Sequence, residues 1–390
     1  MKTIYMDNNA TTQASPEVVE AMLPYLSEVY GNPSSSYSLG AEVRSRIDEA
    51  RSRVAELIGA DPEEIIFTGG GSESDNTAIR SALLSRPDKR TIVTSSVEHP
   101  AIRSFCSHLN KRGYRVIEIP VNRSGELDME KYEKSLDDDT AIASLMWANN
   151  ETGVLFPVEA AAESAREKGI LFHTDAVQAA GKIEINIRDT AIDMLSLSGH
   201  KIHGPKGVGV LYIRSGTPFS PMIMGGHQEE GRRAGTENTP GIIGLGKASE
   251  LAVRHLKDDN FRIRKMRNRL ETGIVRLVPG IRINGYGVPR LPNTSNISFE
   301  NIDGESVLLL LDEMGISVST GSACSSGSED PSHVLIAMGL SPISAKSSIR
   351  FSLGIYNTDE DITILFEHLP GIIEKLRSVS PLLNRKLNAA

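Results

Sequence analysis

Two cysteines, Cys106 and Cys324, stand in a chain of 390 residues. That excludes a disulfide framework and leaves thiols suited to a reducing compartment. A basic excess is also missing. The net charge is −8 and the isoelectric point near 5.7, so no electrostatic footprint for nucleic acid or an anionic membrane exists. No apolar run approaches membrane-spanning length. The first residues, MKTIYMDNNATT, lack the apolar core of an export signal, so the cytoplasm is the expected location. Repeats and low-complexity stretches are absent too. His200 and His203 have no cysteine or carboxylate at a zinc-like spacing, which argues against a metal centre.

Hydrophobic residues make up 39% of the chain, enough for a sizeable core, and the length suggests two or three domains. Val43, Ile47, Ala50, Val54 and Leu57 recur at steps of four and three, predicting an amphipathic helix over 40–58. Strands are expected at 63–68, 90–100, 114–121, 140–149, 169–176, 192–199 and 207–214, with helical stretches between many of them. That alternation predicts a mostly parallel sheet covered on both faces. Near residue 257 the texture changes to a long charged helix and then a smaller α+β region. Cys106 falls on the apolar stripe of a helix with Ile102, Phe105 and Leu109 and reads as a core residue. Cys324 has no such stripe; it sits in STGSACSSG, an exposed-looking tether of small residues.

Open α/β sheets bind ligands beyond the carboxyl ends of their strands. Ser72, His99, Asn149, Asn150, Asp175, His200 and Lys201 all fall at such ends. GGGS at 69–72 opens a helix and is either a phosphate cradle or a plain glycine connection. Asp175 and Gln178 place two polar side chains together if a turn begins there, or Asp175 is simply an N-cap. Lys201 follows an apolar strand among Gly, Ser and His. It is a surface cation or, in a confined pocket, an amine able to attack a carbonyl. Cradle, carboxylate and amine together are what pyridoxal phosphate (PLP) requires.

The stretches MDNNATT, GNPSS, GGGSESDN, VEHPA, ANNETG, HTDAVQ, SGHKIHGPKGVG, RAGTEN, TGSACSS and SIRFSLG occur in this order, and over nearly the whole chain they resemble the cysteine desulfurases. These are PLP enzymes of the class-V aminotransferase group, and the long cysteine loop resembles the NifS/IscS type. The resemblance implies fold type I: a large domain over 15–257 with a mostly parallel seven-stranded sheet, and a small α+β domain from 1–14 and 258–390. It implies a homodimer that turns L-cysteine into L-alanine and leaves the sulfur on Cys324 as a persulfide for an acceptor such as an iron–sulfur scaffold. By motif, Lys201 would carry the cofactor and act as base. Asp175 would pair with the ring nitrogen and Gln178 with the phenolic oxygen. His99 would stack on the ring and move protons. Gly71, Ser72, Ser198 and His200 would hold the phosphate, with Thr236 reaching it from the partner subunit. Asn150 and Arg350 would bind the substrate carboxylate. The sequence departs from the family at Gly69, where Ser is usual, and at Ser72, where Thr is usual. The terminal SPLLNRKLNAA lacks the extended tail with which some relatives dock scaffolds, so docking by that route is not expected.

Overall fold

The computed structural model describes residues 3–320 and 330–379; Cys324 lies outside them. The strands are β1 (Ile4–Tyr5), β2 (Ile65–Thr68), β3 (Thr91–Ser95), β4 (Arg115–Ile119), β5 (Thr140–Met146), β6 (Leu171–Asp175), β7 (Met194–Ser198) and β8 (Gly209–Ile213), followed by β9 (Ile281–Asn284), β10 (Thr294–Phe299), β11 (Ile316–Ser317), β12 (Ser319–Thr320) and β13 (Ser348–Ser352). Seven of them form one sheet in the order β2-β8-β7-β6-β5-β3-β4. Only β8 runs antiparallel to its neighbours there. The sequence-predicted α/β class and seven-stranded, mostly parallel sheet are what is found. Every residue of β5, β6, β7 and β8 is buried, as expected of strands covered on both faces. Because β2, β3, β5, β6 and β7 share one direction, their carboxyl ends open on one edge.

The helix Ser38–Ile58 buries the predicted stripe and stops at Gly59, whose φ of 66° is the left-handed conformation that ends helices. The charged helix near 257 is longer than expected. It begins at Thr239, capped by the Asn238 side chain, with Pro240 in its first turn, and runs 39 residues to Leu277. Its first turns carry Gly241, Gly244 and Gly246, which depress helix propensity and hide the start from a propensity argument. Packing decides the matter. A Cβ on Gly246 would lie 2.6 Å from Ala50 Cα, so glycine lets this helix close against Ser38–Ile58.

This one helix serves two cores. Ile242, Ile243, Leu245 and Ala248 join the core of the seven-stranded sheet. Ile263, Met266, Leu270 and Ile274 join a separate core with Ile4, Met6, Ile297, Phe299, Ile349 and Phe351. That second core backs the antiparallel sheet β12-β13-β10-β9, while β1 pairs in parallel with β11. The first residues of the chain therefore belong with its last third. Cys106 is buried at 2% exposure, as its stripe predicts, and burial pushes its thiol up to about 12.

Two helix glycines separate propensity from packing. Gly371, within the helix Asp359–Val379, has nothing within 4 Å of an added Cβ. Gly371→Ala is expected to stabilise by about 0.5–1 kcal/mol through propensity alone. Gly246→Ala gains the same term but drives a methyl into backbone, and overpacking of about 1–3 kcal/mol outweighs it. Thermal melts of the two variants are expected to move in opposite directions.

Candidate active site

The shared sheet edge encloses a cavity of about 280 Å³ lined by Gly71, Ser72, His99, Asn150, Asp175, Gln178, Ser198, His200 and Lys201. Nine sequence-predicted residues thus meet in one place. Each arrives on the stretch after a strand: Gly71–Ser72 after β2, His99 after β3, Asn150 after β5, Asp175–Gln178 on β6 and beyond, and Ser198–Lys201 after β7. Gly71 opens the helix Gly71–Ser85, so amide N–H groups and the positive helix end face an anion there. A Cβ at Gly71 would sit 2.7 Å from Val177 Cγ2, which makes glycine necessary where the two turns touch.

Lys201 Nζ donates to the carbonyls of Asn9 (2.6 Å) and Ala10 (2.7 Å). Gln178 Nε2 donates to the same Asn9 carbonyl at 2.9 Å. His200 Nδ1 lies 3.1 Å from Thr11 Oγ1. Asp175 Oδ1 accepts from the Val177 N–H (2.9 Å), so the N-cap-like bond and a place in the cavity coexist. His99 Nδ1 accepts from the Ala101 N–H at 3.2 Å, which puts the proton of the neutral ring on Nε2. Burial, and then Lys201, hold His99 below its usual range, with Asp175 opposing. Asn149 plays another part: its Oδ1 accepts from the Glu151 and Thr152 N–H groups and shapes the turn that carries Asn150.

Two of the described predicted residues, Arg350 and Thr236, do not line this cavity. Arg350, 1% exposed, stands beside it: Nη1 donates to the Asn150 carbonyl (3.1 Å) and Nη2 meets Asp7 Oδ1 at 2.6 Å. Its Nε is buried without a partner among the described residues. Thr236 borders a different cavity, with Arg233 and Glu237. Cys324 is outside the described residues. Conversely, the sequence reading gave no role to Asp7, Asn9, Ala10 or Asp75. MDNNATT signals the first three, and their contacts lie well over a hundred residues away along the chain.

Burial dominates the charges here. Burial raises Asp175, while His99, the Val177 N–H and Lys201 pull it back. Asp75, 1% exposed on the same wall, is pushed well up by burial and then by Asp175; its Oδ1 has no hydrogen bond among the described residues and lies 3.7 Å from His173 Nε2. Beneath them His173 bridges Ser144 and Ser196 (2.9 Å each), and burial drops it to about 3. A buried carboxylate pair with a helix N-terminus opposite fits a ligand that is cationic at one end and anionic at the other.

The class-V aminotransferase profile matches residues 4–365, and the chain belongs to that family. It is 51% identical over 384 residues to a cysteine desulfurase of Trichormus azollae, covering 98% of this chain and 96% of the relative. It is 51% identical over 382 residues to the cysteine desulfurase NifS of Azotobacter vinelandii, covering 98% and 95%. Among solved structures, a NifS-like protein superposes with a TM-score of 0.90 at 39% identity, covering 96% of this chain and all of the other. One described as SspA in complex with cysteine gives 0.81 at 36%, covering 91% and 100%. The family is PLP-dependent, and this chain is such an enzyme. The residues present fit the cofactor: a buried carboxylate, an amine, and a glycine-lined helix start share one cavity.

Glu98, next to His99, is fully buried. Its Oε1 accepts from Ser95 Oγ (2.6 Å) and the Met146 N–H (3.0 Å), and burial lifts it from 4.5 to about 8. The folded state therefore holds this proton where the unfolded chain has released it. The contribution is full below pH 4.5 and is lost as pH rises through about 8. Glu98→Gln keeps the acceptor and removes the titration. Melting temperatures from pH 5 to 8.5 are expected to fall less steeply for the variant than for the parent.

Proposed function

We propose that this chain is a cysteine desulfurase that converts L-cysteine to L-alanine and takes the sulfur onto Cys324 as a persulfide. The observation that carries the reading is the meeting of Lys201, Asp175 and His99 in one cavity below a helix start. Relatives named for this activity cover 98% of the chain. We read 15–257 as the cofactor domain and 1–14 with 258–390 as the small domain; the two cores support this in the main, although Leu291, Val334, Leu335, Met338, Leu340 and Ala345 pack into the first.

Gly71, Ser72, Ser198 and His200 would hold the cofactor phosphate. Asp175 would supply the negative charge for the ring nitrogen, relieving its own desolvation. Gln178 would donate to the phenolic oxygen, and His99 borders the same cavity. Bound pyridoxal phosphate would supply an electron sink for the charge left when the α-proton departs. Lys201 would hold the cofactor and, as the amine in this cavity, take that proton. Arg350, with the Asn150 backbone already in contact, binds the substrate carboxylate by its planar fork. The Cys324 thiolate attacks the substrate sulfur; the S–S bond forms, the C–S bond breaks, and the carbon gains a proton to become alanine. His99 in its resting tautomer donates from Nε2. To accept the Cys324 proton it must release the Ala101 N–H.

A homodimer completes the site, the partner subunit's Thr236 reaching the phosphate; Thr236 of the same chain borders another cavity. The persulfide passes to an acceptor protein such as an iron–sulfur scaffold. We read the enzyme as cytoplasmic, where a working thiol stays reduced. Among the described residues no helix is long and apolar enough to cross a membrane.

Incubation of the purified protein with L-cysteine, followed by alanine and persulfide assays, tests the reading. Cys324→Ala is expected to keep the cofactor's absorbance while alanine formation falls at least about 100-fold. Undiminished alanine release would refute the sulfur step. Arg350→Lys, which loses the fork, is expected to raise KM for cysteine about tenfold with a smaller change in kcat.

A further inference from the structure

A second cavity, also of about 280 Å³, adjoins the first, and Lys201 borders both. Lys182 lines the second alone and Gln178 the first alone, so these two residues and Lys201 form the partition. Lys182 Nζ donates to Gln178 Oε1 at 2.9 Å, while Gln178 Nε2 donates to the Asn9 carbonyl, also at 2.9 Å. The amide has only this orientation. Turned over, it would set C=O against the Asn9 carbonyl and NH2 against Lys182, the first contact repulsive in either state of the lysine and the second when it is an ammonium, in place of two hydrogen bonds. Half-buried Lys182 has no carboxylate partner among the described residues; desolvation, Lys201 and Arg350 push it down to about 7. Ammonium or amine, it still has an N–H to give, and Oε1 can only accept.

We propose that Lys182 is a positioning residue that locks the Gln178 amide with its N–H groups, and never its carbonyl, toward the cofactor's phenolic oxygen. The proposal rests on the role given to Gln178 above. A phenolic oxygen accepts hydrogen bonds, so a reversed amide would turn attraction into repulsion. Lys182 is the only partner of Gln178 Oε1 among the described contacts. Without it, nothing opposes reversal except the Asn9 carbonyl, from which a bound cofactor would compete for Nε2.

The test is a double-mutant cycle in full-length protein, reading the dissociation constant of pyridoxal phosphate and the melting temperature of each apoprotein. Lys182→Met is expected to weaken cofactor binding about tenfold. Gln178→Ala is expected to weaken it at least as much, and the double variant no further, because Lys182 acts through Gln178. Lys182→Arg, which retains a donor, is expected to recover part of the loss. The Lys182→Met apoprotein should melt at or above the parent, since a desolvated amine gives way to an apolar chain of similar length. Unchanged affinity, or losses that add in the double variant, would overturn the proposal. So would a loss matched by a lower melting temperature and not recovered by Arg. If the parent binds the cofactor and the cycle behaves as expected but L-cysteine yields no alanine, the desulfurase reading fails and this one stands.

Discussion

The carbonyl of Asn9 accepts from both Lys201 Nζ and Gln178 Nε2, and the rest of this residue ties the neighbourhood together. Its side chain donates to the Asn150 carbonyl (3.1 Å) and Thr294 Oγ1 (2.8 Å), and accepts from Asn293 Nδ2 (3.0 Å). Its backbone N–H donates to Ser352 Oγ at 2.9 Å. A buried asparagine with every group satisfied is rigid, because any displacement strands several polar atoms at once. The N-terminal strand thus fixes how the second core meets the cavity formed by the first. Arg350 extends this tie: it bridges Asp7 on the N-terminal stretch and Asn150 on the sheet edge. Substrate recognition by Arg350 and proton transfer by Lys201 would share one frame.

The same architecture sets the electrostatics. A parallel sheet covered on both faces leaves its strand ends dry. Asp75, Glu98 and Asp175 are all raised by burial before any neighbour acts, and His173 and His99 are lowered by it. Carboxylates in such a site are costly to hold ionised, so a charged occupant that pairs with Asp175 and the helix Gly71–Ser85 recovers part of that cost. Affinity for a dipolar cofactor follows from where the strands end, before any specific contact is counted.

That is why so much was legible in the sequence. Apolar runs closing on Ser72, His99, Asn150, Asp175 and Lys201 display both the sheet and its functional edge, because a buried strand is apolar by necessity and its end is where polar chemistry begins. What could not be read depends on long-range partners. Asp7 and Asn9 acquire meaning only beside Arg350 and Lys201. Lys182, after Ala-Ala-Gly, looks like any surface charge until Gln178 folds against it. The helix start at Thr239 was hidden because three glycines speak for a loop locally and for close packing globally. Ser198 and Thr236 entered through family resemblance alone, whereas Cys324 stood out by its small-residue tether and took only its role from the resemblance.

The described ends of the chain on either side of Cys324 are both anchored at the substrate side of this frame. Ser319, in β12, pairs with Arg350 in β13. Farther along, Ser332 Oγ donates to Glu151 Oε2, one residue from Asn150, and His333 Nε2 lies 3.0 Å from the Glu98 carbonyl. In sequence, Cys324 comes four positions after the strand that pairs with Arg350, and eight before a serine held beside Asn150. If Arg350 and Asn150 hold the carboxylate end of cysteine, both tether points stand next to the substrate's fixed end. A nucleophile delivered from those anchors competes for the sulfur as an intramolecular reagent, which favours transfer to protein over release into solvent.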